Sequence, residues 1–392
     1  MSTLFSDRMQ DVPRSFIREI LKAAIDPDII SFAGGLPNRA LFPVDELHEA
    51  SEHVFKEQGR TVLQYSNSEG LIELRGWIAD RYRLRHGIDI SAEQILITSG
   101  SQQALDLIAK ITLNDGDQVI MEEPGYLGAI QALSLYRPRF LPVGVSEAGL
   151  DIDGLQDCLE RGSPKLMYMV PNFQNPTGIT YPAANRLAVA ELIKDTDTLL
   201  VEDDPYGELR FRGEDIGSFY HLLPDRTLLL GSFSKTVVPG FRLGWVAAPI
   251  ALMDKLLIAK QATDLHTCNL TQAIITYYLK NSTIDDHIQN IRAVYGRQCD
   301  AMIAALKQAF PADVSFTRPD GGMFIWAQLP PPLTAMQFFE HALAHKALFV
   351  PGEPFYTTDA PRHSFRLNFS CVDEGTIATG IDRLAEAFRV LG

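Results

Sequence analysis

Between Glu93 and Phe233, short apolar runs alternate with segments of helical periodicity. Most of the runs are apolar at successive positions, which is typical of strands buried on both faces of a parallel sheet. Such a chain is constrained to an α/β fold with helices on both faces of the sheet. Strands are predicted at 94–98, 117–122, 165–170, 198–203 and 227–233, and helices at about 101–113, 126–135, 151–161 and 182–194.

The C-terminal part of the chain follows a different pattern, in which a long helical stretch, at about 268–308, precedes three apolar segments at 321–329, 347–352 and 364–370. A closing helix carries one apolar stripe, formed by Ile377, Ile381, Leu384, Phe388 and Leu391. The pattern is typical of an α+β domain. We therefore predict a large domain over 46–285, a smaller domain over 286–392 and an N-terminal segment over 1–45.

The charge balance argues against one class of partner. The 392 residues include 35 Lys and Arg against 49 Asp and Glu, which gives a net charge of −14. Binding of nucleic acid without sequence preference requires an extended basic face, so we expect no nucleic acid partner.

The four cysteines are far apart in the sequence, without a C-x-x-C pair or a histidine at ligand spacing. They indicate reduced thiols and predict neither a disulfide framework nor a metal site. The charged N-terminus does not resemble a secretory signal, and no run approaches the roughly 18 apolar residues of a membrane-spanning helix. We therefore expect a cytoplasmic protein without a membrane partner.

In open α/β sheets, ligands bind outside the carboxyl ends of the strands, so the residues that follow each predicted strand are the first candidates for a site. After the strand at 94–98, Gly100 permits a tight turn and a helix starts at Ser101. The free N–H groups and the dipole of such a helix start can hold a phosphate. The same turn could equally do no more than cap the helix.

The segment PNFQNPTG, residues 171–178, follows the strand at 165–170. Because Asn175 precedes a proline, it is kept out of the helical region, and its side chain can project from the strand end. A polar turn that only leads into the next helix is the alternative.

The segment VEDDPYGEL, residues 201–209, ends the next strand. Carboxylates directly after a buried strand are unfavourable unless a cation meets them. Asp203 and Tyr206 are three residues apart and could point at one ligand. Glu202 and Asp204 are candidates for an exposed acidic loop.

The segment GSFSKTVVPGFRLGW, residues 231–245, overlaps the end of the strand at 227–233 and contains Ser232, Ser234, Lys235 and Arg242. Its glycines and its proline indicate a structured loop, and two hydroxyls with an arginine suggest a bound anion. A lysine taken alone is more often a solvated surface group.

In SFRLNFS, residues 364–370, Phe365, Leu367 and Phe369 share one face of a strand, so that Arg366 and Asn368 share the other. An arginine held on a strand beside an amide is suited to bidentate recognition of a carboxylate. An arginine on a solvent-exposed edge strand is the alternative.

Together the five segments are far more specific than any one of them. A phosphate cradle, a lysine amine, an acid and a hydroxyl or amide partner, all at strand ends, match the needs of pyridoxal 5′-phosphate (PLP). The aldehyde of PLP forms a Schiff base with a lysine, and its ring accepts electrons.

The chain resembles the class I (fold-type I) PLP-dependent aminotransferases over nearly all of its length. It is most similar to the 2-aminoadipate and kynurenine aminotransferases, through ISFAGGLPNRALFP (30–43), LQYSNSEGLIELR (63–75), TSGSQQAL (98–105) and the DDPY and GSFSKTVVPGFRLGW segments. The resemblance implies the fold-type I architecture, a large domain with a mostly parallel sheet flanked by helices plus a smaller α+β domain. It also implies that residues 1–45 join the small domain and cover the active site.

By this resemblance, Lys235 forms the Schiff base with PLP and later moves the substrate proton. Asp203 pairs with the protonated pyridine nitrogen, and Asn175 and Tyr206 hydrogen-bond the phenolic oxygen of the ring. Tyr126 matches an aromatic residue that stacks on the ring. The residues implied to hold the phosphate are Ser101, Gln102, Ser232, Ser234 and Arg242.

The resemblance also implies how substrates bind. Arg366, assisted by Asn175, would bind the α-carboxylate. Arg18 and Gly35 match an N-terminal stretch that closes over the substrate side chain, where Arg18 would contact a distal carboxylate; a surface position on an amphipathic helix is the alternative for Arg18. Tyr65 matches a tyrosine that reaches the phosphate of a neighbouring subunit, which implies a homodimer.

The implied activity is a ping-pong exchange of an amino group between an L-amino acid (2-aminoadipate, aromatic or large aliphatic) and a 2-oxo acid, with 2-oxoglutarate as the expected acceptor. A PLP-dependent lyase or decarboxylase on the same scaffold would need the same cofactor residues. A ligand-sensing domain of an aminotransferase-like transcription regulator is the more distant alternative. Its DNA-binding module would need about 60 more residues ahead of Phe32, and the acidic charge is unfavourable for it.

Overall fold

The computed structural model describes residues 4–10, 20 and 26–391. Numbered in chain order over these residues, the strands are β1 Ile30–Ser31, β2 Ile95–Thr98, β3 Gln118–Glu123, β4 Arg139–Ser146, β5 Gly149–Leu150, β6 Leu166–Met169, β7 Leu199–Asp203, β8 Thr227–Ser232, β9 Gly244–Ala247, β10 Ser315–Phe316, β11 Phe324–Gln328, β12 Ala347–Leu348, β13 Val350–Pro351 and β14 Ser364–Asn368. The helices are α1 Asp7–Gln10, α2 Val44–Val62, α3 Ile72–His86, α4 Ser101–Thr112, α5 Leu127–Ser134, α6 Ile152–Arg161, α7 Ala183–Ile193, α8 Phe219–Leu222, α9 Ile250–Thr263, α10 Asn269–Asn281, α11 Ile284–Ala309, α12 Ala335–Ala344 and α13 Glu374–Arg389.

The larger sheet has eight strands in the order β2-β9-β8-β7-β6-β3-β4-β5. Its centre is parallel from β8 to β4, whereas β9 runs antiparallel between β8 and β2, and β5 pairs antiparallel with β4. Successive residues of β7 pack on opposite sides: Val201 belongs to a core cluster that includes α4, and Leu200 to a cluster that includes α7. Burial on both faces explains why these strands are apolar without alternation.

The parallel strands bring distant parts of the sequence to one edge of the sheet. The carboxyl ends of β6, β7 and β8 are Met169, Asp203 and Ser232, and neighbouring strands are in direct register, Tyr168 with Val201 and Asp203 with Leu230. The loops that follow these ends, at 170–178, 204–209 and 233–243, therefore lie side by side.

The smaller sheet is antiparallel, in the order β10-β11-β14-β13. One face of β14 packs in the core with α11 and α13 through Phe365 and Leu367. The N-terminal segment joins this part of the molecule, because β1 pairs in parallel with β12 and the Phe32 carbonyl accepts a hydrogen bond of 2.8 Å from the Asn368 N–H. Residues 33–36 are thereby carried toward the loop that contains Lys235.

The structure confirms the predicted fold class, a large and mostly parallel sheet flanked by helices with a smaller α+β unit. Each strand and helix predicted between 94 and 233 is present, with its ends displaced by at most one residue. The domain boundaries at 45 and 285 stay a prediction.

Three details differ from the sequence-based expectations. The helical stretch at 268–308 is two helices, because α10 ends at Asn281, where the Ser282 hydroxyl donates to the Tyr278 carbonyl at 2.7 Å. The apolar segment 347–352 is divided into β12 and β13. The strands β4, β5 and β9, which belong to the large sheet, were not predicted.

Candidate active site

A cavity of about 470 Å³, a size typical of small-molecule sites, lies at the carboxyl ends of the parallel strands. Most of the predicted site residues line it: Gly35, Ser101, Gln102, Tyr126, Asn175, Asp203, Tyr206, Ser232, Ser234, Lys235, Arg242 and Arg366. A second cavity, of about 40 Å³, shares Pro205 and Ser232 with the first but is lined by neither Lys235 nor Arg366. The first cavity is therefore the candidate site, because it holds the predicted residues.

Lys235 follows β8 and extends into the cavity, where its Nζ donates to the Gly35 carbonyl oxygen at 2.7 Å. Burial lowers the pKa of Lys235 to about 8. A lysine with such a pKa is deprotonated in an appreciable fraction near neutral pH, and the neutral amine is the nucleophile that attacks a carbonyl carbon.

The turn between β2 and α4 lies against Arg242. Gly100 has a φ of +85°, and a Cβ at this position would be 2.5 Å from the Arg242 guanidinium. Only glycine combines that backbone conformation with such a close approach. The turn thus brings an arginine beside the N-terminus of α4, whose first two residues, Ser101 and Gln102, line the cavity.

Two hydroxyls complete this end of the cavity. Ser232 Oγ donates to Ser234 Oγ at 2.9 Å and accepts from the Ser234 N–H at 3.0 Å. A helix N-terminus, two hydroxyls and an arginine are the groups that hold a phosphate in proteins. This end of the cavity therefore has the chemistry of an anion site.

Asp203, the last residue of β7, is 2% exposed. Its Oδ2 accepts a hydrogen bond of 2.7 Å from the Tyr168 hydroxyl, and among the described residues its Oδ1 has no partner. Burial raises the pKa of Asp203 to about 7, against the lowering effect of the Tyr168 hydrogen bond. A buried carboxylate oxygen without a partner is suited to accept a hydrogen bond from a cationic ligand.

The two neighbours of Asp203 have structural roles. Glu202 is fully buried rather than part of an exposed acidic loop, and its Oε2 accepts from the Ser218 hydroxyl and from the Tyr220 N–H. Asp204 Oδ1 accepts from the Gly207 N–H at 3.0 Å. Asp204 thus fixes the loop that follows β7, and Glu202 connects β7 to the start of α8.

Asn175 links Tyr206 and Arg366, two other polar residues that line the cavity. It is 4% exposed and its peptide bond to Pro176 is cis. Its Nδ2 donates to the Tyr206 hydroxyl at 3.3 Å, and its Oδ1 accepts from the Arg366 guanidinium at 2.7 Å. The polar-turn interpretation of this segment is thus insufficient, because the amide bridges β14 and the loop after β7.

Arg366 is 2% exposed, so the edge-strand alternative is wrong for it. The guanidinium also donates to the Ala33 carbonyl at 2.7 Å and lies over the rings of Phe324 and Phe355, at 4.3 and 5.2 Å from their centroids. Burial lowers the pKa of Arg366 to about 10, so it stays cationic at neutral pH. A fixed and buried arginine of this kind is suited to bind a carboxylate.

The cavity is cationic although the chain as a whole is acidic. Of the described residues that line it, Lys235, Arg242 and Arg366 are cationic and Asp203 alone is acidic. A concave site with one sign of charge concentrates ligands of the opposite sign. The site therefore favours an anionic ligand with one group at Arg242 and another at Arg366.

The remaining predicted residues differ in their positions. Tyr126 lines the cavity, and its ring lies so close to Gly128 that a Cβ there would be 2.5 Å from the ring. Tyr65 is 79% exposed and does not line the cavity of its own chain. Arg18 lies outside the described residues.

Two residues of the site were missed by the sequence analysis. Tyr168 lies inside a strand that is buried on both faces, and the signal was its hydroxyl, because a buried tyrosine O–H requires a partner. Phe355 lies in a short 3₁₀ turn after β13 and contacts Arg366. Its role depends on the packing of the two sheets, which no local pattern indicates.

Within the described residues, no group of three or more His, Cys, Asp or Glu side chains is arranged to hold a metal ion. In the same part of the chain, none of the helices has both the length and the apolar character needed to cross a bilayer.

The sequence profile of one family, described as aminotransferase class I and II, matches residues 27–384. A 2-aminoadipate transaminase of Thermus thermophilus is 40% identical, over 97% of this chain and 95% of its own length. Aromatic-amino-acid aminotransferase 1 of Thermococcus litoralis is also 40% identical, over 98% of this chain and 94% of its own.

A solved structure with the same fold is that of LysN, an α-aminoadipate aminotransferase from Thermus thermophilus, complexed with N-(5′-phosphopyridoxyl)-L-leucine. It is 39% identical to this chain, with a TM-score of 0.93 and coverage of 100% of this chain and 98% of that one.

Proposed function

The chain belongs to the class I and II aminotransferases, and on this basis we propose that it is a PLP-dependent enzyme that exchanges an amino group between an L-amino acid and a 2-oxo acid. The donors are 2-aminoadipate and aromatic or large aliphatic amino acids, and the acceptor is 2-oxoglutarate. The observation that carries the proposal is that Lys235, Asp203 and Arg366 line one cavity, where one carboxylate oxygen of Asp203 has no hydrogen-bond partner among the described residues.

The polar groups of the cavity fit PLP. Asp203 Oδ1, which has no partner among the described residues, would accept a hydrogen bond from the protonated ring nitrogen, and Lys235 would bind the aldehyde carbon. The phosphate would be held by Ser101, Gln102, Ser232, Ser234 and Arg242, with Tyr126 over the ring. When bound, PLP supplies an electron sink for the negative charge that develops at the substrate Cα.

The residues of the chain would then bind the substrate and move its proton. Arg366 holds the α-carboxylate, and Asn175 fixes the guanidinium through the hydrogen bond of 2.7 Å. When its amine is not bonded to the cofactor, Lys235 would remove the proton from the substrate Cα, and its lowered pKa suits a general base near neutral pH. Because donor and acceptor both carry an α-carboxylate that Arg366 would bind, they occupy the cavity in turn, as a ping-pong mechanism requires.

The choice of donors rests on the walls of the cavity and on the named relatives. Leu127 and Phe355 give the cavity an apolar wall, which suits aromatic and aliphatic side chains. The two curated relatives are named for 2-aminoadipate and for aromatic amino acids. An acidic side chain needs a further cation, and we assign that contact to Arg18.

The active unit is proposed to be a homodimer in which Tyr65 reaches the phosphate site of the partner. Tyr65 is 79% exposed, and Leu63 and Ile72 nearby in the sequence are 70% and 53% exposed. Large exposed apolar side chains of this kind favour an interface in this part of the chain. Light scattering of the purified protein should give about twice the chain mass of 43.6 kDa; a monomer at working concentration would contradict the dimer.

The function is tested by the visible absorption spectrum of the purified protein during titration with a panel of amino acids, without an acceptor. We expect the band of the lysine-bound cofactor to bleach to the pyridoxamine form and 2-oxoglutarate to restore it. The donor that bleaches the band fastest identifies the substrate class. Release of ammonia without formation of the pyridoxamine form would instead indicate a lyase, and the absence of the band after incubation with PLP would exclude the proposed cofactor.

Arg366→Ala should lower kcat/KM for every amino acid by about 100-fold, because each loses charge-assisted hydrogen bonds to its α-carboxylate. Arg366→Lys keeps the charge but not the planar fork, and should recover only part of the loss. Steady-state kinetics with leucine and glutamate measures both effects.

Arg18→Ala is the matched variant, and it should lower kcat/KM about tenfold for dicarboxylic donors while leaving leucine unaffected. Equal losses for leucine and glutamate in Arg18→Ala would remove the distal-carboxylate assignment. A loss confined to one donor in Arg366→Ala would show that the α-carboxylate binds elsewhere.

A further inference from the structure

Within the described residues, the carboxylate of Asp203 accepts a hydrogen bond from one side chain, that of Tyr168. Tyr168 is 1% exposed, and its hydroxyl donates to Asp203 Oδ2 at 2.7 Å, while Oδ1 stays without a partner. Tyr168 pairs with Val201 across the two strands, and Asp203 is two residues beyond Val201 on the same face. The tyrosine therefore reaches along the sheet to the base of the cavity.

The groups that act on Asp203 come from several elements. Asp204 follows it in the chain, and Tyr206, Tyr126 and Glu122 approach it from the next turn, from the start of α5 and from the end of β3. Burial and Asp204 both favour the protonated carboxyl, whereas the hydrogen bond from Tyr168 favours the carboxylate and holds its pKa down. A neutral carboxylic acid would pair poorly with a cationic ring.

We propose that Tyr168 is a positioning residue of the aminotransferase reaction, whose hydroxyl orients Asp203 so that Oδ1 meets the ring nitrogen of PLP and keeps Asp203 ionised. Because the Tyr168 hydroxyl occupies Oδ2, Oδ1 is the oxygen that stays without a hydrogen-bond partner among the described residues, in a side chain that lines the cavity. The proposal rests on the proposed role of Asp203 toward PLP. Tyr168 touches neither substrate nor cofactor in this scheme and acts through the acid alone.

The test is Tyr168→Phe, which removes only the hydroxyl. The dissociation constant of PLP, measured by equilibrium dialysis against the cofactor-free protein, should rise about tenfold, and kcat should fall about tenfold with KM nearly unchanged. The dialysis is then repeated with 1-deazapyridoxal phosphate, in which a C–H replaces the ring nitrogen. Because that analogue has nothing for Asp203 to pair with, parent and variant should bind it equally.

Two controls separate this role from a structural one. In an Asp203→Asn background, Tyr168→Phe should leave PLP affinity unchanged within about twofold, since the charge it supports is gone. Tyr220→Phe removes another buried tyrosine hydroxyl, which accepts from Gln94 Nε2 at 2.9 Å, and should leave PLP affinity as in the parent.

The outcomes are distinct. If Tyr168→Phe lost equal affinity for PLP and for the deaza analogue, or if its affinity for PLP were unchanged, the proposed role of Tyr168 would be overturned. A parent protein that neither binds PLP nor transaminates would instead overturn the proposed function itself.

Discussion

Replacing Lys235 by alanine is expected to reduce the rate of transamination by about 10⁴-fold, because it removes both the amine that binds the cofactor and the base at the substrate Cα. The amine is placed for both roles, since its Nζ lies within the cavity, 2.7 Å from the Gly35 carbonyl. Single-turnover bleaching of the cofactor by the best donor measures the loss.

The same variant should still hold PLP without a covalent bond. The substitution leaves unchanged both the groups around Arg242 that would bind the phosphate and the carboxylate of Asp203 that would accept from the ring nitrogen. Equilibrium dialysis should therefore give a measurable dissociation constant, and the bound cofactor should lack the absorption of the lysine-bound form. A variant that binds no PLP would indicate that the lysine, rather than these groups, provides most of the affinity.

Two further variants separate the roles of the amine. Lys235→Arg keeps a cation but supplies no neutral amine near neutral pH, so it should be as slow as Lys235→Ala. Lys255→Ala changes a lysine that is two-thirds exposed, and should transaminate like the parent. Added methylamine should recover part of the rate of Lys235→Ala by acting as an external base. Near-normal turnover without added amine would show that another residue is the base.

The central fold could be predicted because its strands carry an unambiguous signal. Strands such as β6 and β8 are buried along their whole length, so that their central residues are apolar, and polar residues follow at their carboxyl ends. The inserted strand β9 has only four residues, Gly244–Ala247, and follows directly on the loop of Lys235. Because β9 continues that loop without a break, its four residues give no separate strand signal. Its pairing between β8 and β2 is fixed only by the tertiary structure.

The site could be predicted for a related reason. Parallel strands end at one edge of the sheet, so polar residues after different strands must meet, as Asn175 and Asp203 do across one cavity. The resemblance then supplied the roles that spacing alone does not give. Two contacts could not be read in this way: the Ala33 carbonyl that accepts from Arg366, and Phe355 beside it, both of which come from long-range packing.

Asp203→Ala is expected to lower kcat by about 10³-fold and to weaken PLP binding by about 100-fold, because the ring nitrogen loses the carboxylate that keeps it protonated. Asp203→Asn retains the shape and an acceptor for Tyr168 but not the charge, and should be nearly as slow. Steady-state kinetics and equilibrium dialysis measure the two effects. Unchanged kinetics in either variant would place the essential acid elsewhere.

The stability of the cofactor-free protein gives an independent test of the same carboxyl. The pKa of Asp203 is raised to about 7 by burial, from an ordinary value of 3.8. The folded state therefore keeps its proton as pH rises from about 4 to 7 while the unfolded chain releases it, and the contribution of Asp203 to stability is lost over that range. Asp203→Asn removes this loss, so its Tm relative to the cofactor-free parent should increase from pH 5 to pH 8.

Addition of PLP should stabilise the parent more than Asp203→Asn. At pH 8 the parent has an ionised Asp203 available to the cationic ring, whereas the asparagine variant has none, so saturating PLP should raise the Tm of the parent by more than that of Asp203→Asn. Each protein is compared with itself, with and without PLP at one pH, so the other carboxyls whose pKa burial raises, among them Glu122, Glu202 and Asp204, enter both measurements. An equal stabilisation of both proteins by PLP would mean that Asp203 does not meet the cofactor, whatever the kinetics show.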